Sequence, residues 1–231
     1  MPRLLTVCPL CAVLAACKAS PAQTTEFLGE QQDFQNVPEI KAFHKAWAKP
    51  GVVWDKYKTI YIAPVEARFL RERTAWQKMS FAEVNEQSVR DLAEFTRQTF
   101  VDAHRANTHK NRLEVVTKPQ ADSVILELAV TEVVPTNAWL NAVSLVGVMT
   151  AVDKGSVAIE SRLRDASTNE IIAKFADRES GKQSLINVKD LTWYSHARDI
   201  IREWARQSVE VVNAEEGSEI ADSSPFELKA W

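Results

Sequence analysis

The amino terminus limits how this chain can fold before any other feature does. Arg3 is followed by an apolar run at residues 4–14, then by two alanines and Cys17. This order of charged, apolar and small residues is typical of an export signal, so we predict that residues 1–16 are a signal peptide. The apolar run is too short for a helix that crosses a membrane, which needs about 20 residues. We therefore expect no permanent transmembrane segment here.

The predicted signal peptide determines which cysteines remain in the mature chain. Cys8, Cys11 and Cys17 are the three cysteines of the chain. The first two form a Cys-x-x-Cys inside the predicted signal and leave with it, which excludes a disulfide framework or a cysteine-based zinc site. The mature fold must depend on a hydrophobic core, and a chain of about 200 residues is long enough to build one.

The residues at the cleavage site have a recognisable order. Leu14-Ala15-Ala16-Cys17 resembles the lipobox of bacterial lipoproteins. The resemblance implies cleavage between Ala16 and Cys17 and fatty acyl chains, such as palmitate, on Cys17. Two or more chains anchor a protein stably, at about 0.8 kcal/mol per buried methylene. The membrane is thus the first expected partner, and an ordinary secretory signal is the alternative.

The residues after the cysteine bear on location and domain organisation. By resemblance to enterobacterial sorting, a residue other than Asp at position 18, here Lys18, implies the outer membrane, with the domain facing the periplasm. The inner membrane is the alternative. We predict a flexible tether at 17–26, a single domain at 27–213 and a mostly disordered acidic tail at 214–231.

The charge of the chain argues against nucleic acid as a partner. The formal net charge is −3 at pH 7. Proteins that bind nucleic acid cluster Lys and Arg to replace phosphate counterions. No such cluster is present, and no run of five like charges occurs.

Strands are predicted where apolar residues alternate or run together. Residues 58–65 and 123–134 have this pattern, and a shorter strand is predicted at 113–116. Strands at 157–164 and 171–175 should form a hairpin, closed by Asn169 in a left-handed conformation. Residues 41–49 fit either a helix or a strand.

Helices are predicted from apolar residues three and four positions apart. Ser80 and Glu83 form a capping box before a long helix that continues to about Ala106. Its expected apolar stripe is Val84, Ser88, Leu92, Phe95, Thr99 and Ala103. A final helix is expected from Leu191 to Val211. The order of a strand, a long helix and a second strand implies one right-handed crossover connection between the two strands. We predict a two-layer α+β sandwich, a mixed sheet with two long helices on one face.

Several motifs together resemble a known family. They are Phe27-Leu28-Gly29, residues 54–58 leading into 60–65, residues 131–135, and residues 158–168. In this order, after a lipobox, they are similar to the bacterial lipoprotein family called domain of unknown function 3313. Asn169 departs from the glycine expected in the family's hairpin. The family implies an envelope lipoprotein and brings no activity, cofactor or catalytic residue with it.

Candidates for chemistry are few. The four histidines are His44, His104, His109 and His196. The spacing of five between His104 and His109 does not place both on one helix face, so we expect no metal site and no cofactor. No nucleophile motif is present, and we predict no catalytic residues. Two polar sets, 160–164 and 177–179, are interpreted as cross-strand ion pairs on a solvated face, with a recognition ladder as the alternative.

Two apolar features could bind partners. The seven tryptophans include Trp76, expected to be exposed, whereas Trp54 and Trp204 are interpreted as core residues. The segment 138–152 has no charged residue, and it is either a buried connection or an exposed surface for self-association or a protein partner. The residues proposed for that surface are Trp139, Leu140, Leu145, Val146, Val148 and Met149.

These patterns lead to one preferred hypothesis for function. We expect a lipid-anchored, non-enzymatic accessory or assembly module of the bacterial cell envelope that binds protein partners. A module that binds glycan or peptidoglycan through exposed tryptophans is the alternative, and a periplasmic hydrolase is the third hypothesis.

Overall fold

A computed structural model describes residues 24–29, 40–70, 86–110, 112–134, 156–180, 194, 197–215 and 218–222. The predicted signal and lipidation site, Ala16 and Cys17, lie outside these ranges. So do the capping box at Ser80, Trp76 and the whole of segment 138–152 with its proposed partner surface. Nothing is concluded about their structure.

A six-stranded mixed sheet forms the centre of the domain. Its strands are β1 (Lys45–Ala48), β2 (Thr59–Ile62), β3 (Glu114–Val115), β4 (Ser123–Val134), β5 (Ser156–Asp165) and β6 (Ile171–Ser180). The order across the sheet is β1-β6-β5-β4-β2-β3. The pairs β1–β6, β6–β5 and β5–β4 are antiparallel, while β2 is parallel to both β3 and β4. A 3-10 helix, Trp54–Lys56, leads into β2.

Two long helices, α1 (Glu86–Ala106) and α2 (Ala197–Asn213), cover one face of this sheet. The helices meet where His104 Nε2 lies 3.1 Å from Ser208 Oγ and where the Asn107 and Asn213 side-chain amides exchange hydrogen bonds. Together with β4–β6 they enclose one main core of buried aliphatic and aromatic side chains. The predicted two-layer α+β class, with both long helices on one face, is confirmed.

The buried stripe of α1 is rotated from the predicted one. Leu92, Thr96, Phe100 and His104 are buried at intervals of four, while Phe95 and Ala103 of the predicted stripe are only partly buried. Thr96 can take a central position because its hydroxyl has a partner. The Thr96 hydroxyl donates to the Leu92 carbonyl at 2.8 Å, inside the helix itself. Of the polar residues on this face, the predicted stripe included Ser88 and Thr99 but missed Thr96 and His104.

The hairpin between β5 and β6 follows the prediction at its turn. Asn169 has φ 61°, the left-handed conformation that this residue type tolerates. The carboxylate of Asp165, which is buried, accepts hydrogen bonds from Ser167 and Thr168 of the turn and from Lys56 and Tyr57 beside β2. Burial alone would raise the pKa of Asp165, but these hydrogen bonds outweigh it and hold the pKa well below its usual range.

Two segments outside the long elements also form β pairings. The region 41–49, which fitted either a helix or a strand, contains edge strand β1. Ile220, in the tail predicted to be mostly disordered, is buried and forms a parallel bridge with Ile40. Among the residues that the structure describes, no helix combines the length and the apolar character needed to cross a membrane.

Candidate functional site

The second face of the sheet, opposite the helices, carries small and charged side chains. Because side chains alternate along a strand, β5 directs Ile159 and Leu163 toward the helices and Glu160 and Arg162 toward this second face. A short segment of chain lies across it. We call this segment, residues 24–29, the N-terminal strap.

Glu160 fixes the strap to the sheet. Its side chain is 0% exposed, and both carboxylate oxygens accept hydrogen bonds from one strap residue. The backbone N–H of Thr25 donates to Oε1 at 2.6 Å, and the Thr25 hydroxyl donates to Oε2 at 2.7 Å. Burying a carboxylate costs folding free energy unless it is hydrogen-bonded. The two hydrogen bonds from the strap therefore offset part of the cost of burying Glu160.

Arg162 adds a second attachment beside the first. Its guanidinium lies 4.4 Å from the centre of the Phe27 ring and donates to the Phe27 carbonyl at 2.6 Å. The same guanidinium pairs with Glu127 on β4, which also pairs with Arg164. The Arg162 guanidinium that binds the strap is therefore also paired with a carboxylate on the neighbouring strand β4.

The apolar part of the strap is buried between these polar contacts. Phe27 and Leu28 are 3% and 1% exposed and pack on Ala129 and Ala176, whose small side chains leave room for them. The ring of Phe69 meets that of Phe27 edge to face at 5.7 Å. The strap ends at Gly29, whose φ of 77° is the left-handed conformation that glycine adopts without strain.

The prediction of cross-strand ion pairs on a solvated face is only partly correct. Ion pairs do cross the strands, as Glu127 with Arg162 and Glu132 with Arg178 show. The face is not simply solvated, however, because the strap covers Glu160. Thr24 and Thr25, at the end of the predicted flexible tether, likewise contact the domain, and Thr24 is buried.

The other predicted polar set, 177–179, is divided between the two faces. Arg178 faces Glu132, whereas Asp177 lies among the helices. The Asp177 carboxylate accepts the indole N–H of Trp204 at 2.7 Å and the backbone N–H of His44 at 3.1 Å, and it lies against Nδ1 of the His44 ring. This buried cluster ties β1, β6 and α2 together.

A cavity lies between the helices and the sheet. Its volume is only about 30 Å³, and its walls are mostly aliphatic and aromatic. Three polar side chains reach it, His104 from α1, Ser208 from α2 and Ser161 from β5. Burial lowers the pKa of His104 to about 4, so the ring is neutral at pH 7.

The remaining candidate residues are scattered. Within the described ranges, no three His, Cys, Asp or Glu side chains are grouped so that they could hold a metal ion. Trp204 is buried as predicted. Trp54 was interpreted as a core residue, and this is wrong because it is 45% exposed, beside the ring of Tyr57. Trp47 is half-buried, with Lys174 Nζ 5.5 Å from its ring centre.

The strap could not be derived from local sequence. Glu160 and Thr25 are separated by 135 positions, and an acidic residue alternating with apolar ones normally indicates a solvent-facing position. The available signal was the Phe27-Leu28-Gly29 motif, because two large apolar residues before a glycine are unusual at the end of a tether. His104 had a clearer signal, since it continues the spacing of four from Leu92.

Comparison with known proteins identifies the family. The fold is an α+β sheet with two helices on one face, and the strap covers Glu160 on the other. The family model described as protein of unknown function (DUF3313) matches residues 23–208, and the chain belongs to this family. The match begins one residue before the strap. It confirms the resemblance found in the sequence, and no enzymatic family is indicated.

Solved structures provide distant likenesses. PelC from Paraburkholderia phytofirmans, a dodecamer, shares 10% identity over 74% of this chain and 96% of its own, with a TM-score of 0.42. The hypothetical protein CT253 from Chlamydia trachomatis shares 12% identity over 69% and 99%, with a TM-score of 0.44. Lipoprotein GNA1162 from Neisseria meningitidis shares 12% over 64% and 97%, with a TM-score of 0.24. These likenesses are too weak to assign a function. No curated protein matches the chain.

We predict that Glu160→Ala releases the strap while the rest of the domain stays folded. Both carboxylate bonds to Thr25 are lost, so a protease that cuts after glutamate should cleave the Glu26–Phe27 bond at least tenfold faster than in the wild type. Mass spectrometry of the fragments measures this rate. Glu114→Ala, at an exposed position of β3, is the matched control and should not change it. Equal rates in both variants would contradict the role of Glu160.

We also predict that His104 makes the domain sensitive to acid. The unfolded ring gains a proton near pH 6.5 and the folded one only near pH 4, so acid favours the unfolded state. As the pH falls from 6.5 to 4, the wild type should lose about 3 kcal/mol relative to His104→Leu. Urea unfolding at pH 7, 5.5 and 4 measures this difference. A loss in His104→Leu equal to that of the wild type would contradict the assignment.

Proposed function

We propose that this chain is a lipoprotein of the bacterial cell envelope, held on the outer membrane by acylated Cys17 and facing the periplasm. Its domain is proposed to be a non-enzymatic accessory or assembly module that binds protein partners. The observation that carries the proposal is the strap, because it joins the end of the chain nearest Cys17 to the centre of the sheet.

The strap gives lipidation at Cys17 a geometric consequence. From Cys17 to Thr24 the chain has seven Cα-to-Cα steps, which span about 25 Å at most when fully extended. An acylated Cys17 would therefore keep the Glu160 region of the sheet within about that distance of the lipid surface. A domain without the strap would be tethered through a longer segment and could turn freely. The strap thus suits a module that must be presented to partners close to a membrane.

The proposed partner surface is connected to one end of the same sheet. Segment 138–152 belongs to the connection between β4 and β5, which leaves at Val134 and returns at Ser156, and these two residues are paired neighbours. The surface proposed from the sequence is therefore joined to the domain at the end of β4 and β5. Edge strand β1 is the second candidate for partner contact, because an edge strand presents backbone groups to other chains.

The anchor is tested by replacing Cys17. We expect Cys17→Ala to appear in the soluble periplasmic fraction, with no acyl chains in its mass spectrum, while the wild type sediments with outer membranes. Cys11→Ala is the matched control, because it removes a thiol from the predicted signal and should leave lipidation intact. If Cys17→Ala still sediments with membranes, and the wild type carries no added lipid mass, the proposed anchor is wrong.

The partner surface is tested at Leu145. A photo-crosslinking amino acid at this position should give defined protein adducts in intact cells, while the same group at Glu94, exposed on α1, should give none. Leu145→Asp should reduce the adducts formed from a second crosslinker at Val148 and change the free energy of unfolding by less than about 0.5 kcal/mol. A loss above about 2 kcal/mol without adducts would identify Leu145 as a core residue and contradict the proposal.

A further inference from the structure

The two halves of α2 are held on the domain in different ways. The buried apolar residues of this helix all lie in its first half, at Ala197, Ile200, Ile201, Trp204 and Ala205. The Trp204 indole N–H also donates to the buried Asp177 carboxylate at 2.7 Å. Along the second half, residues 206–213, all of which the structure describes, Gln207 is the one buried residue. The burial that fixes α2 is therefore concentrated in its first half.

The buried residue of the second half does not stabilise it. Gln207 is 1% exposed, yet neither Oε1 nor Nε2 of its side-chain amide makes a hydrogen bond within the described part of the protein. An amide that leaves water without gaining hydrogen bonds destabilises the folded state. If the second half of α2 moved outward, water could reach this amide. The movement would therefore recover a cost that the closed arrangement carries.

Polar contacts join the second half of α2 to α1. Ser208 Oγ lies 3.1 Å from His104 Nε2, and the side-chain amides of Asn107 and Asn213 exchange two hydrogen bonds of 3.1 Å. Hydrogen bonds of this kind lose little free energy when bonds to water replace them. The packing here is also incomplete, because the small cavity lies beside Ser208 and Val211. Atoms that line a void lack contacts on one side.

We propose that residues 206–213 open away from α1 and the sheet as one unit, while the first half of α2 stays in place with Trp204 as its fixed point. The tail permits this movement. Ile220 is held by its bridge to Ile40, and the seven Cα-to-Cα steps from Asn213 to Ile220 can span up to about 25 Å. Opening uncovers Phe100 of α1, which lines the cavity. The proposal does not depend on lipidation at Cys17.

Amide hydrogen exchange, resolved by NMR on the purified mature protein, measures the opening at each residue. We expect the amides of residues 208–213 to be at least about 100-fold less protected than those of 201–205, because a local opening needs less free energy than global unfolding. These amides should share one protection factor. Fraying from the helix end would instead lower the protection step by step from residue 208 to 213, and this result would contradict the proposal.

Two variants separate the opening of this unit from unfolding of the whole domain. Gln207→Leu replaces the unpaired amide with an apolar side chain, so exchange at 208–213 should slow about tenfold. Ile200→Val weakens the first half of α2 only, so it should speed exchange at 201–205 and leave 208–213 unchanged. The matched control is Gln98→Leu, the same change at an exposed position of α1, which should alter the rates in α2 by less than about twofold.

Three further results would overturn the proposal. Equal protection in both halves of α2 would mean that the helix is released only by global unfolding. Faster exchange at 208–213 in Gln207→Leu would mean that the amide stabilises the closed arrangement. If Ile200→Val speeds exchange equally in both halves, α2 opens as a whole and not from Trp204 onward. If Gln207→Leu does not fold, Gln207→Met, which keeps the length of the side chain, takes its place in the test.

Discussion

The domain depends on how one buried carboxylate is satisfied. Glu160 lies in the middle of the central antiparallel strands with no exposed surface, and Thr25 gives it two hydrogen bonds from the other end of the chain. A carboxylate without such donors would be strongly destabilising in this position. The strap is therefore part of the folded unit rather than an appended tether, and the remainder of the second face is arranged around it. Ala129 and Ala176 leave space for its apolar side chains, and Arg162 holds its backbone.

Side chains are buried in different ways on the two faces of the sheet. Toward the helices, aliphatic and aromatic side chains fill the space, and Asp177, a polar residue found there, has specific partners. On the second face, among the described residues, the strap covers Glu160, and charged side chains near it pair with each other across strands. A sheet with one helical layer would otherwise leave this face to solvent. The strap makes the sequence of β5 compatible with a position buried on both sides.

Local periodicity predicted most of the fold, because it reports which residues share a face. The bounds of β4, the left-handed Asn169 and the position of Trp204 on α2 all follow from patterns within a few residues. The strap does not, since Glu160 acquires its partner only when residues 135 positions apart meet. Trp54 was predicted to be buried because it lies beside a strand in the sequence, but closeness along the chain does not determine which side chains are covered in the fold. His104, by contrast, continues the local spacing of four from Leu92, so the sequence contained the signal for its burial.

The alternation of side chains along β5 also explains how one strand can serve two separate sites. Glu160 faces the strap and Ser161, the next residue, faces the cavity. The backbone of one sheet separates them, so neither side chain touches the other's partners. A substitution at Glu160 therefore acts first on the attachment of the amino-terminal chain, and one at Ser161 acts first on the cavity. The attachment of the strap and the lining of the cavity can then change independently within this fold, provided that β5 retains its register with β4 and β6.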